Sequence, residues 1–268
     1  MKKVKVGAVV YAPQVTVVWE IICKFFKENN ILLEMEYFAD YKTQVQYLLQ
    51  NKIDIAWNSP LAHVLSKRGS NKVGFSCMRD TDQNRKSVVL SLKDSNIVEV
   101  KDLKGKKIGF GALDSPQARL IPIWTLKQSG LEHNQDYEEV LFNIGVGLHG
   151  DHVGGEEDAL KSLVNKEIDA SVTTEGNFEN WITDGTFDKD KFNVVHRTGL
   201  YDHCIFTTRE GFDQELKSEW EKVLYLMDYS NPEHKEMMDL EGLKKWVAGR
   251  EEYFEQLENA IDYLGYSE

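Results

Sequence analysis

A basic surplus, paired cysteines and long apolar runs are all missing from this 268-residue sequence. Asp and Glu number 44 against 32 Lys and Arg, a formal charge of −12. Such a surface repels phosphate backbones and anionic lipid unless a basic patch is segregated. The densest basic stretch, Lys101 to Lys107, already carries Asp102. Nucleic acid and anionic membrane surfaces are therefore not expected as partners. No run approaches the roughly 18 apolar residues of a membrane span, so no direct membrane span is expected. Cys23, Cys77 and Cys204 lie far apart with no CxxC, which argues against a disulfide framework or a zinc knuckle. Prolines are few, and three of the 5 (Pro60, Pro116, Pro232) follow Ser or Asn where helices begin.

The N-terminus, Met1-Lys2-Lys3 before Val4 to Ala12, resembles a short signal peptide. Its apolar part contains Lys5 and runs into Pro13-Gln14 without a small-x-small cleavage site, so it reads as a first strand. The expected location is cytoplasmic. The alternative is periplasmic or cell-surface, with a signal segment already removed.

Strand and helix signals alternate from the start. Val4 to Tyr11 is β-rich, and Val15 to Asn29 sets Val15, Val18, Ile22, Phe25 and Phe26 at helical spacing. Leu32 to Phe38 alternates as a strand does, Asp40 is placed to cap a helix carrying Val45 and Leu48, and Ile53 to Trp57 is a short buried strand. This β-α-β-α-β-α order predicts a mostly parallel sheet covered by helices. A second unit starts near Ser87, with strands at Ser87 to Leu92, Lys107 to Phe110, Glu138 to Phe142 and Ile168 to Thr173. Its helices run from Pro116 to Ser129, kinked at Pro122, and from Glu156 to Asn165. After strands at Phe192 to His196 and His203 to Thr207 the chain becomes helical and acidic to Leu264.

One internal echo stands out. Asn51-Lys52-Ile53-Asp54 recurs as Asn165-Lys166-Glu167-Ile168-Asp169, one residue longer. Chance likeness between two αβ units explains it, and so do two similar lobes whose strands aim their carboxyl ends at a shared cleft.

Asp54-Ile55-Ala56-Trp57-Asn58-Ser59-Pro60-Leu61 resembles the strand and polar-Pro turn of phosphate/phosphonate-type ABC-transporter substrate-binding proteins. The stretch Val100-Lys101-Asp102-Leu103-Lys104-Gly105-Lys106-Lys107-Ile108-Gly109-Phe110-Gly111, then Asp114-Ser115, is similar to the start of that family's second lobe. The likeness spans about residues 4–210. It implies an α/β fold of the type 2 periplasmic-binding-protein class, with two lobes of mostly parallel sheet flanked by helices and a ligand cleft between them. By this likeness lobe one is 1–82 plus 199–268, helical C-terminal tail included, and lobe two is 83–198. It further implies a non-catalytic solute-binding protein that closes around a small-molecule ligand for an ABC-type transporter or sensor. The ligand is polar or anionic, the partner a transporter permease, and no cofactor is expected.

Ser59-Pro60 and Ser115-Pro116 set hydroxyls and backbone N–H groups at helix N-termini, where orphan donors and the macrodipole favour an anion. Capping alone, worth about 1 kcal/mol, accounts for each serine singly. Their recurrence in matching lobes points to ligand binding, with Asn58, Asp114 and Gln117 in the same turns. Phosphonate binders of the family offer two or three hydroxyls in the second-lobe turn, whereas this one reads Ser115-Pro116-Gln117-Ala118. A carboxylate or a neutral polar group fits that turn as well as a phosphonate. Tyr11, Tyr41 and Trp57 lie at strand ends, where a ring can stack on an organic or cationic group, Trp57 more naturally as core. Glu175 and Asp202 can pair with a ligand amine, and His203 beside Asp202 is counted with them among the ligand-binding residues. Together with Asp40, Asp114 and Asp151, they favour an amine-bearing or zwitterionic ligand over bare phosphate.

In the glycine-rich stretch from His149 to Glu156, His152 is assigned a hydrogen-bonding or gating role towards ligand. His149 and His152, with Asp202-His203, are the alternative: imidazole and carboxylate ligands for a divalent metal. HxxH on a glycine loop is a weak pattern, and no metal is expected. Cys204 reads as a buried apolar residue before Ile205-Phe206. The enzyme alternative makes it the nucleophile of a cytoplasmic enzyme of the same fold, with His149 or His152 as its partner. His203 is set aside for that role, because neighbours on a strand point to opposite faces.

Overall fold

The structure, a computed structural model, describes residues 1–149 and 153–266. It divides into two compact units, Met1–Asn84 with Asp202–Glu252, and Arg85–Tyr201 with Tyr253–Glu268. The chain passes between them three times, after Asn84, Tyr201 and Glu252. The final helix, expected with the rest of the tail on the first unit, is thus built into the second.

The first unit opens with β1 (Lys2–Val9), α1 (Gln14–Glu28), β2 (Ile31–Phe38), α2 (Tyr41–Leu49), β3 (Ile55–Asn58), α3 (Pro60–Gly69), β4 (Gly74–Phe75) and β5 (Cys77–Arg79). The second contains β6 (Ser87–Leu92), β7 (Lys107–Phe110), a π-helical turn (Pro116–Leu120) running into α4 (Ile121–Gln128), and β8 (Glu138–Leu141). It continues with α5 (Val153–Val164), β9 (Ala170–Thr174), α6 (Glu175–Thr183) and β10 (Phe192–Arg197). Then β11 (Ile205–Thr208), α7 (Gln214–Tyr225), α8 (Pro232–Leu240) and β12 (Trp246–Ala248) return to the first unit, and α9 (Glu255–Leu264) completes the second. The short strands β4, β5 and β12 and the helix α6 were not expected.

Each unit is built on a five-stranded sheet, in the orders β2-β1-β3-β11-β4 and β10-β6-β9-β7-β8. In the first, β1 runs parallel to β2 and β3, while β11 is antiparallel to β3 and β4. In the second, β7 runs parallel to β8 and β9, and β6 is antiparallel to β9 and β10. The sheets are therefore mixed rather than mostly parallel. The departure comes from β6 and β11, the strands that follow a crossing.

The sequence echo has a structural basis. In the first unit Asp54 N donates to Lys5 O at 2.8 Å and its carboxylate accepts from Lys5 N at 2.9 Å. In the second, Asp169 N donates to Lys107 O at 2.9 Å and its carboxylate accepts from Lys107 N at 2.8 Å. Two residues beyond each helix before these aspartates lies a residue of positive φ, Asn51 at 56° and Lys166 at 62°. Two residues beyond each lysine is a glycine. A Cβ on Gly7 would lie 2.6 Å from Ile53 Cδ1, and one on Gly109 would lie 2.6 Å from Ile168 Cδ1. The same lysine, glycine, isoleucine and aspartate thus close the same αβ unit twice.

In the first unit α1 packs Val18, Ile22 and Phe26 into the core, and α7 buries Trp220 against Phe26 and Phe206, with ring centroids 4.5 and 5.3 Å apart. The second sheet is covered on both faces. Successive β6 residues divide between them, Val89 in a core with Phe110, Leu126 and Val172, and Leu90 in one with Leu160, Leu163 and Phe178. Tyr263 and Leu264 of α9 pack against the first of these cores. His63 of α3 is buried, with Nδ1 2.9 Å from Thr207 Oγ1. Burial and then Lys67 push its pKa down to about 3, and Glu251, 3.8 Å from Nε2, does not offset them.

Two predictions concern stability. Gly7→Ala and Gly109→Ala should each cost on the order of 1–3 kcal/mol in chemical denaturation, because each Cβ meets a core isoleucine. A loss at one site only would break the equivalence. His63 is neutral in the folded protein but takes a proton near pH 6.5 once unfolded. The unfolded chain therefore binds more protons between about pH 6.5 and 3, and stability drops as pH falls through that window. Relative to His63→Gln, the wild type should lose roughly 3 kcal/mol between pH 6.5 and 4; parallel pH profiles would contradict it.

Candidate functional site

In open α/β sheets, ligands bind beyond the carboxyl ends of the parallel strands. In the first unit β1, β2 and β3 end at Val9, Phe38 and Asn58. The register pairs Ile205 with Asn58, so antiparallel β11 starts at the same edge. That edge gathers Tyr11, Tyr41, Asn58, Ser59, His203 and Cys204.

Ser59 is buried and caps α3, its Oγ accepting from Ala62 N at 3.1 Å, with Pro60 in the first helical position. Proline there sacrifices no helical hydrogen bond. Asn58 is fully buried, and its Oδ1 accepts from Gln44 Nε2 at 2.8 Å. Asn58 Nδ2 and Gln44 Oε1 have no hydrogen-bond partner among the described residues. A buried amide donor left open is costly and marks a place where a ligand or water completes the bonding. Tyr41 is buried at the start of α2, whose cap is Asp40, accepting from Thr43 N at 2.7 Å. Tyr11 is exposed. Trp57 stacks within the unit, 4.6 Å from Phe206 and 5.7 Å from Trp246, with the Arg79 guanidinium 5.4 Å over its ring.

In the second unit β7, β8 and β9 end at Phe110, Leu141 and Thr174, and antiparallel β6 starts with Ser87 opposite Thr174. Ser115 is the counterpart of Ser59: buried, followed by Pro116, its Oγ accepting from Ala118 N at 3.1 Å. The widened π turn is bound to the Ser115 carbonyl, which accepts from Arg119 N at 3.1 Å and Leu120 N at 2.9 Å. Gln117 is buried, and its carbonyl accepts from Ser87 Oγ at 2.6 Å. That use of the Ser87 proton makes Tyr201 Oη the donor to Ser87 Oγ, at 2.8 Å.

The acidic residues have other work. Asp202 is buried, with Oδ1 accepting from Asn84 N at 2.9 Å and Arg250 Nη2 at 2.8 Å, and Oδ2 from Arg250 Nε at 2.6 Å. Asp114 Oδ2 accepts from Gly147 N at 2.7 Å and His149 N at 3.1 Å, ordering the turn before the glycine-rich stretch. Asp114 Oδ1 has no partner among the described residues. Glu175 heads α6 and pairs with Arg197 at 2.7 Å. Asp40, Glu175 and Asp202 are engaged in holding the fold, and Asp114 is so through Oδ2 alone. Asp151 and His152 lie outside the described residues, and with them the His149–His152 metal alternative.

Cys204 meets the histidine that was set aside. Its Sγ lies 3.1 Å from His203 Nδ1, which is 3.5 Å from Asp82 Oδ1, and all three residues are buried. The opposite-faces argument fails because β11 begins only at Ile205, so His203 and Cys204 precede the strand. Arg79 grips Asp82 through Nε at 2.6 Å and Nη2 at 2.9 Å. Burial works against its charge, but Asp82, Cys204 and Glu241 outweigh it and raise the guanidinium above its ordinary value.

Glu156 was read only as a helix start, yet it is buried. Its Oε2 accepts from Thr173 Oγ1 at 2.7 Å, Thr174 N at 2.8 Å and Asn177 Nδ2 at 2.9 Å. Burial raises its pKa against those three donors. The signal was present: Glu156, Ala159, Leu160 and Leu163 share one helical face at i, i+3, i+4, i+7.

The family of ABC-transporter phosphonate periplasmic substrate-binding proteins matches residues 25–254. The "Probable ABC transporter phosphite binding protein PhnD1" of Prochlorococcus marinus is 25% identical over 253 residues, covering 87% of this chain and 80% of that protein. The solved structure of PhnD1 from Prochlorococcus marinus in complex with methylphosphonate superposes with a TM-score of 0.70, 18% identity and 98% of each chain covered. A binding protein component of an ABC phosphonate transporter from Pseudomonas aeruginosa superposes at 0.63, with 16% identity, covering 98% of this chain and 85% of that one. None of these likenesses supports the enzyme alternative built on Cys204. With its family model matched over residues 25–254, the chain belongs to the periplasmic substrate-binding proteins of phosphonate ABC transporters.

Proposed function

We propose that this solute-binding protein takes a small tetrahedral oxyanion of the phosphonate type and delivers it to an ABC-transporter permease. The observation that carries this reading is the recurrence of one device, a buried Ser-Pro N-cap at the carboxyl-end edge of each sheet (Ser59-Pro60 and Ser115-Pro116). Each turn sets backbone N–H groups and a hydroxyl at a helix start, donors of the kind an oxyanion accepts from. Asn58 Nδ2 adds a buried donor on the first edge, and Gln117 lies in the second turn. Tyr11 and Tyr41 are assigned to the organic substituent, and His152 to a hydrogen bond from the glycine-rich stretch. Glu175 and Asp202 are assigned to positioning because their oxygens already hold arginines, and Asp114 because its Oδ2 holds the Gly147 and His149 N–H groups. His203 is assigned to the buried cluster with Cys204. An anion therefore suits this site better than a zwitterion or amine. The expectation of a cytoplasmic location finds no support in a family described as periplasmic, and a location outside the cytoplasm fits delivery to a permease.

Ser59→Ala and Ser115→Ala should each weaken methylphosphonate binding roughly 10- to 100-fold by titration calorimetry, the value of a hydrogen bond to a charged group. Their stability cost should stay near the 1 kcal/mol of a lost cap. Unchanged affinity in both would remove these serines from the site. In a thermal-shift panel, methylphosphonate and phosphite should raise Tm, whereas acetate and ethylamine should not. A shift with acetate alone would replace the tetrahedral oxyanion by a carboxylate.

A further inference from the structure

We infer that Asp82, His203 and Cys204 form a zinc-binding site in the first unit, distinct from the residues assigned to the oxyanion. Carboxylate oxygen, imidazole nitrogen and thiol sulfur are the three donor types zinc accepts together, and each residue is fully buried. Their ligand atoms lie within 4.8 Å of one another, with Sγ···Nδ1 at 3.1 Å and Nδ1···Oδ1 at 3.5 Å. Metal–ligand bonds of about 2.0–2.3 Å at tetrahedral angles give ligand–ligand separations of about 3.4–3.6 Å. Two of the three separations thus already stand close to edges of a coordination tetrahedron, the third is within 4.8 Å, and three protein ligands leave the fourth position to water.

The local charge fits a divalent cation. Asp82 is gripped by Arg79, whose Nη1 also meets Glu241 Oε2 at 3.3 Å. Two carboxylates and a Cys204 thiolate against one guanidinium leave two negative charges, which Zn²⁺ cancels. Arg79 then serves as the outer partner that orients the ligating carboxylate. Binding is ligand exchange without redox change: the aquo ion sheds waters to Asp82, His203 and the sulfur, and the thiol proton leaves to solvent. The site also has a particular place in the chain. Asp82 stands two residues before the first crossing, and His203 and Cys204 follow directly on the return at Asp202. A bound zinc would tie the outgoing and returning segments together.

The test uses untagged full-length protein, unfolded with a chelator and refolded with stoichiometric Co²⁺, so that burial of the ligands does not block entry. The expected result is one Co²⁺ per chain, a thiolate-to-cobalt charge-transfer band, tetrahedral visible bands, and displacement by Zn²⁺. Cys204→Ala should abolish the charge-transfer band and weaken metal binding by more than the roughly 10- to 100-fold that losing an outer hydrogen-bond partner costs. Cys23→Ala should leave both unchanged. Wild-type protein without the charge-transfer band, or with only octahedral cobalt, overturns the assignment, whether or not Cys204→Ala folds. So does a band that persists in Cys204→Ala. Methylphosphonate plays no part in the measurement, so the result stands apart from the oxyanion reading.

Discussion

Two buried carboxylates, each gripped by an arginine fork, fix the first unit where the chain leaves and re-enters it. Asp82 is held by Arg79 and Asp202 by Arg250, and both aspartates are essentially without solvent contact. A buried charge stripped of its partner costs several kcal/mol, so neither segment can move away from its arginine cheaply. Arg79 lies on β5 and Arg250 just after β12, and these strands pair with each other. The small two-stranded sheet that sequence reading overlooked is therefore the platform from which both arginines reach. The returning segment it holds runs through His203 and Cys204 into β11, which pairs with β3 beside Ser59.

A chain with a formal charge of −12 has little long-range attraction for an anion. Its affinity for one has to come from short-range devices, and the two capped turns are of that kind. Partial positive charge at a helix start acts within about one turn and needs no cationic side chain. The acids that crowd the same loops would work against an anion if they were free. Ion pairs with Arg197 and Arg250 turn Glu175 and Asp202 from competitors into scaffolding.

Features fixed by neighbours in sequence were legible in advance. The αβ order of both halves, the caps at Asp40, Ser59 and Ser115, and the repeated Ile-Asp pair all depend on residues a few positions apart. What was illegible depends on partners far along the chain. β5 and β12 are two or three residues long and exist because Cys77 to Arg79 find Trp246 to Ala248. The contact between His203 and Cys204 was misjudged by extending a strand two residues too far, into a segment that Asp82 and Asn84 hold instead. The charged residues were misread for a related reason: an aspartate in a loop looks alike whether it faces ligand or an arginine from another element.

The helix Glu255–Leu264 belongs to the second unit although it follows Trp246 to Ala248, which pair within the first. Neither unit is a continuous stretch, and each needs a piece from the far end of the chain. Residues 1–84 and 85–201 each form only part of a unit, and each unit is completed from beyond Tyr201. Contacts of such long sequence separation slow folding, because loop-closure entropy is spent before they form.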